Sequence, residues 1–440
     1  MARLQVVQDL RSLLVHADFR KLFTVRLVSQ CGDGMFQAGL ATLFFFNPAN
    51  LATAGAVATA FAVLLLPFTV VGPFVGPLLD RWRRRQVLLV GNAVRVVLAG
   101  ALAVLMATIG VGPAVYVLAL VTLGVNRFLL AALSAGMPHV VPRDQLLVAN
   151  SLTPTLGAVS AVVGAAVGFG LGLVVADGPA LDAAALSAAA VFFAAAALLA
   201  LRLGRDRLGP DRARTRSGGW SQVIQDMRAT VAEMVDGARY LIARGTPGAG
   251  LGVMAGHRFL YGLNFIALIL ISRNLLVDPA NASAGLATFG VLAGISFAGN
   301  GLAILLTPAL RTRISANRWV VVCLGVGALS QVVLAAAPVF WVIAAAALLM
   351  GFSVQGAKIA VDTIVHRDTH DDARGRAFAL YDVLYNAAFV GAAALAAVVL
   401  PDTGYSRITF ACLGLVYLLL AVVYRRVPAE PAPASLADTR

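Results

Sequence analysis

Asp33, Arg95, Arg127, Arg258, Lys358, Asp362 and Asp382 all stand inside long apolar stretches. A charge there is costly unless it faces a cavity or a partner. A carboxylate in such a place can be neutral in dry surroundings and charged beside a cation, which suits a group that takes and releases protons. Asp33 lies between Gly32 and Gly34, with Gln30 and Gln37 near its face. It reads either as a proton-carrying carboxylate or as a structural one held by an arginine. Arg127, beside Asn126, is the expected partner of Asp33 or of an anionic substrate group. Arg95 sits nearer the cytoplasm and is expected to pair structurally with Asp80 or Asp144.

The second half offers a similar set. Lys358 and Asp362 are four residues apart, on one helical face, and are expected to pair with each other. Asp382 lies close to Tyr381, Tyr385 and Asn386, a candidate gate residue toward the loop after Asp80. His257 and Arg258 neighbour Tyr261, Asn264 and Phe265. A single histidine among apolar residues reads as a packed, hydrogen-bonded group more than as a proton relay. Phosphate-binding Gly-x-x-x-x-Gly-Lys-Ser/Thr, zinc spacing and a nucleophile elbow are all missing from the string. The expectation is therefore no enzyme, no cofactor and no metal. Energy must come from an ion gradient or from a partner protein.

Composition says what has to hold these groups. Of 440 residues, 60% are hydrophobic and 12% charged, against roughly 45–50% and 25% in soluble domains. That excludes a soluble enzyme, a disordered chain and a nucleic-acid-binding module. The net charge of +13 comes almost entirely from arginine, since Lys21 and Lys358 are the only lysines. Cys31, Cys323 and Cys412 are scattered through apolar stretches and make no metal or disulfide framework. Apolar runs between charged or Pro/Gly-rich breaks predict twelve spans, at 22–46, 52–78, 87–109, 113–137, 150–175, 181–203, 249–272, 284–309, 318–337, 339–364, 376–400 and 406–424. Continuous rather than alternating apolar patterning makes them helices. With the N-terminus inside, 27 of the 34 basic residues fall in cytoplasmic segments, two outside and five within spans. Both termini are therefore placed in the cytoplasm.

The expected fold is an all-α membrane protein, with twelve transmembrane helices in two pseudo-symmetric six-helix bundles. The divisions are 1–203 for the first bundle, 204–248 for a cytoplasmic linker, 249–427 for the second bundle and 428–440 for a tail. The linker opens with RLGRDRLGPDRARTRSGG and continues as WSQVIQDMRATVAEMVDGARYLIAR, an amphipathic helix for the membrane surface. Two echoes give the repeat. Arg143-Asp144 recurs as Arg367-Asp368, and GPLLD (76–80) faces TPALR (307–311), at offsets near 225 residues. Repeats of this kind characterise secondary transporters, with substrate held near the midplane.

The most specific string is GPLLDRWRRRQVLL, 76–89. It resembles the signature loop of the major facilitator superfamily, with Gly76, Asp80, Arg81, Arg84 and Arg85 matching and Arg83 where a second glycine is usual. By that likeness Asp80 is an anion that latches the loop, with Arg95 in the same gate. Asp18-Phe19-Arg20 leading to Asp33, together with VPRDQLLVANSL (141–152) and ARGRAFALYDVLYN (373–386), resembles the subgroup of macrolide-efflux and enterobactin-exporter proteins. Gly157, Gly164, Gly168 and Gly172 have the spacing of the antiporter motif without its Gly-Pro pair, and small residues at every fourth position also simply let helices pack closely. The resemblance implies proton-coupled export of a hydrophobic or amphipathic small molecule, drug-like or a siderophore. It implies a monomer in a bacterial plasma membrane whose partners are substrate, protons and lipid, not nucleic acid. The alternatives are a lipid or siderophore flippase, an importer, or a non-transporting sensor or scaffold of the same fold.

Overall fold

The computed structural model describes residues 8, 10–45, 53–70, 74, 75, 79, 81–110, 112–171, 179–209, 220–310 and 313–428. Among these the backbone is helical, with short 3-10 turns and no strand. Hydrocarbon imposes this, because every backbone group must find its partner within its own segment. The helices are α1 Ala17–Phe45, α2 Ala54–Val70, α3 Arg84–Thr108, α4 Pro113–Gly136, α5 Leu146–Gly170, α6 Pro179–Ala200 and α7 Trp220–Arg244. Then follow α8 Thr246–Asn274, α9 Ala282–Leu310, α10 Ala316–Ala336, α11 Phe340–Asp368, α12 Asp371–Val399 and α13 Arg407–Arg425.

Among the described residues, ten helices are long and apolar enough to cross a membrane: α3 to α6 and α8 to α13. Two expected spans fall outside that set for different reasons. Gln30, Asp33 and Gln37 make α1 more polar, and α2 is described over 17 residues. The expected surface helix coincides with α7, whose Ile224, Val231 and Val235 are exposed.

Helix ends follow local chemistry. The Ile109 and Gly110 N–H groups both donate to Leu105 O, at 2.8 and 3.0 Å, and Gly110 takes φ +83°, which a side chain disfavours. Gly245 (φ +78°) is the single residue between α7 and α8. Ser315 and Ser406 accept from the Arg318 and Thr409 N–H groups and cap α10 and α13. Pro113 and Pro247 stand in first turns, where the missing N–H has no partner to lose.

The chain gathers into two compact units. The first comprises Met1–Phe44 and Val70–Arg228, and the second Phe45–Thr69 and Ala229–Arg440. The boundary crosses α7, and α2 gathers with the second unit although it precedes 203. There Phe61 lies 5.6 Å from the rings of both Phe265 and Phe389, and the Ala54 N–H donates to Asp402. Within the first unit α3 packs on α4 and α6; within the second α10 packs on α11 and α13. In the first, α1 crosses α5 at glycines; in the second, α8 packs on α12. Each of these pairings recurs seven helices later, in step with the sequence repeat.

Candidate functional site

The first unit buries an ion pair. Arg95 of α3 and Asp33 of α1 are 1% and 4% exposed, and an Arg95 Nη2 N–H donates to Asp33 Oδ1. Arg95 Nη1 donates to Ser29 Oγ at 3.2 Å, and Ser29 in turn donates to Asn92 Oδ1 at 3.2 Å. The guanidinium lies 3.6 Å from the centre of the Phe193 ring, a cation–π contact, while its buried Nε has no hydrogen-bond partner. The partner of Asp33 is therefore Arg95, not Arg127, and Arg95 does not pair with Asp144, which is exposed. The reason is helical register. Leu88, Asn92, Arg95, Ala99, Leu102 and Met106 form the buried stripe of α3. On α4 the buried stripe passes through Asn126, leaving Arg127 half-buried beside it.

Gln30 accepts from Arg26 Nε at 2.9 Å, while Gln37 is exposed. Arg26, Ser29, Asn92 and Phe193 were not singled out from the string. The buried stripes would have revealed Ser29 and Asn92, since each lies four or three residues from Asp33 or Arg95.

Gly76 and Asp80 of the signature loop lie outside the described residues. Its arginines do work beyond anchoring. Arg81 pairs with Asp226 of α7 at 2.8 Å. Arg84 Nη1 donates to Ala135 O and Leu208 O, both at 2.9 Å, beside His139 Nε2. Arg85 reaches Ala200 O and Leu201 O at 3.3 and 3.1 Å. Ala135 O, Ala200 O and Leu201 O stand at the C-terminal ends of α4 and α6, the negative ends of their dipoles, while Leu208 O belongs to the turn that follows α6. Arg83, in place of a glycine, adopts ordinary extended φ −62°, ψ 120°, so the turn needs no glycine. Arg84→Met should lower stability by roughly 1–3 kcal/mol by orphaning two carbonyls. The melting temperature of the purified protein measures this, and an unchanged value would reduce Arg84 to a membrane anchor.

The second unit places its charges differently. Lys358 Nζ meets Asp362 Oδ2 at 2.6 Å, as their spacing implies. Arg258 lies 5.1, 4.1 and 4.5 Å from the ring centres of Tyr261, Tyr385 and Phe389. Tyr381 stacks on Tyr385, with Lys358 5.6 Å from its ring centre. Asp382 is exposed, and its backbone carbonyl accepts from Asn386. Asn264, six residues past Arg258, is buried and donates to Leu260 O at 2.8 Å. His257 is fully buried between Ser353 Oγ (2.8 Å) and the Tyr417 hydroxyl (3.4 Å). The sequence reading missed this linkage of α8, α11 and α13, because Ser353 and Tyr417 lie about 100 and 160 residues away.

The described residues thus hold a buried carboxylate paired with Arg95 and, in the second unit, a cation walled by aromatic rings. The model of the Major Facilitator Superfamily matches residues 251–439. Uncharacterized MFS-type transporters of Mycobacterium bovis and Mycobacterium tuberculosis are each 35% identical over 437 residues, covering 98% of this chain and 95% of theirs. Among solved structures, a POT family transporter aligns over 94% of this chain and 95% of its own with TM-score 0.65 at 11% identity. A D-xylose-proton symporter aligns over 94% and 99% with TM-score 0.59 at 13% identity. At such identities these two structures speak for the fold alone. The relatives carry the assignment: the chain belongs to the major facilitator superfamily and is a multi-pass membrane protein that moves a small molecule by secondary transport, not an enzyme.

Proposed function

We propose that the protein is a proton-coupled exporter of a hydrophobic or amphipathic small molecule, with Asp33 as the coupling carboxylate and Arg95 as the cation that holds its charge. The reading takes in twelve spans in two six-helix bundles that alternate access, both termini in the cytoplasm of a bacterial cell, and a monomer. The recurrence of helix pairings and the 27-to-2 charge bias support it. The observation that carries it is the Asp33–Arg95 pair, buried across α1 and α3. Beside Arg95 the carboxylate stays ionised; parted from it in a dry interior, it takes a proton. A helix movement that separates the two can therefore load or discharge a proton. Tyr261, Tyr385 and Phe389 around Arg258 support an apolar or aromatic substrate, as does the likeness to the macrolide-efflux and enterobactin-exporter subgroup.

The test uses ethidium as the probe, in proteoliposomes under an imposed pH gradient. Wild type should concentrate the dye and lose that ability when an uncoupler is added. Asp33→Asn should lower gradient-driven accumulation roughly tenfold or more, while downhill exchange survives. An Asn variant that still concentrates ethidium, in a manner the uncoupler abolishes, would move the proton to Asp382 or then Asp362.

A further inference from the structure

A cavity lies wholly within the second unit, beside the aromatic wall of Arg258 and sharing Tyr261 with it. It stands between α8, α9, α10 and α11. Its wall is mostly apolar, with Phe265, Leu334 and Met350 among its residues. Into that wall come three side-chain amides, Asn264, Asn300 and Gln331, and the oxygen of each is buried without a hydrogen-bond partner. Gln331 is fully buried, and Asn264 is 8% exposed. Buried polar atoms almost always have partners, so three orphans around one cavity need an explanation.

Their hydrogen bonds show which way the amides face. Asn264 spends an N–H on Leu260 O, in its own helix, at 2.8 Å. Gln331 donates to Ser330 Oγ at 3.1 Å. The Ser330 hydroxyl has given its hydrogen to Gly327 O at 2.7 Å, so it has none left for Gln331 Oε1. What remains is a set of acceptors asking for donors. No lysine, arginine or carboxylate lines the cavity. A full charge of either sign would therefore lie there without a counter-charge.

We infer that this cavity binds a neutral small molecule that presents hydroxyl or amide N–H donors on an apolar or aromatic frame. The site stands apart from the charged groups assigned to coupling. Binding is read on the unenergised protein, so failure of the transport reading leaves this test unaffected.

The full chain in lipid nanodiscs is titrated with resorcinol and with 1,3-dimethoxybenzene, the same ring with its donors blocked. Saturation-transfer NMR, corrected for empty nanodiscs, reads the binding. Resorcinol should bind saturably and the ether should not. Gln331→Met and Asn264→Leu should each weaken resorcinol roughly 5- to 10-fold, the worth of one hydrogen bond. The unliganded Gln331→Met protein should melt no lower than wild type, because the variant removes an orphaned acceptor. An amide kept only for structure would lower it. If Gln331→Met does melt lower, Asn300→Leu decides: weakened binding at unchanged melting supports the site, and undiminished binding overturns it. The inference also fails if the ether binds as well as the diphenol, or if wild type binds no resorcinol. Water alone would then satisfy the amides.

Discussion

Arg95→Met should destabilise the protein by about 3–5 kcal/mol, and adding Asp33→Asn should return most of that loss. The single change leaves a carboxylate deep in the first unit without its cation. The double change leaves two neutral groups of similar size, with Ser29 still hydrogen-bonded to Asn92. Asp33→Asn by itself is the milder lesion. Arg95 keeps Ser29 Oγ and the face of Phe193, so its charge is still partly accommodated. The measurement is a double-mutant cycle on thermal or denaturant unfolding of the purified protein. A double variant no more stable than Arg95→Met would mean that the two side chains do not act as a pair. The coupling reading would then lose its partner, whatever transport assays show.

Gly164→Leu and Gly34→Leu should both prevent recovery of folded protein, because they hold α5 and α1 apart. A Cβ built on Gly34 runs into the carbonyl oxygen of Ala161, and one on Gly164 into that of Cys31. The obstacles are backbone, which cannot swing away as a side chain does. Even alanine at either position should cost about 1–3 kcal/mol, the usual range for overpacking. The contrast lies at Gly100 in α3, where an added Cβ meets nothing within 4 Å. Gly100→Ala should be neutral or stabilising by up to about 1 kcal/mol through helix propensity. Monodisperse yield and melting temperature in one detergent decide the matter. Equal behaviour at Gly34, Gly164 and Gly100 would refute close backbone contact as the role of these glycines. The spacing Gly157, Gly164, Gly168 thus has a packing explanation, whichever way coupling works.

Much was legible in the string. Each of the twelve apolar runs overlaps a described helix, with ends within about five residues wherever the expected end lies among the described residues, and the amphipathic helix was placed at its observed limits of Trp220 and Arg244. Lys358 and Asp362 were readable as a pair because four residues of helix bring them together without help from the fold. The aromatic wall around Arg258 was half readable. Tyr261 is its neighbour in α8, whereas Tyr385 and Phe389 arrive from α12.

By itself, the sequence determined that this chain is a set of membrane helices, which residues sit in them, and which local pairs form. Hydrocarbon makes these outcomes local, since each helix satisfies its own backbone and each apolar run sets its own length. Only the tertiary structure decided which charge meets which. A helix turns about 100° per residue, so one position separates the buried Asn126 from the half-buried Arg127. The same rotation sets Arg95 in line with Leu88 and Asn92, where the glycines of α1 and α5 let the helices close and Asp33 meets it. Packing also chose the company of α2 and enclosed Asn264, Asn300 and Gln331 around one cavity. Those outcomes depend on how four helices are rotated against one another, which apolar patterning within any single helix leaves open.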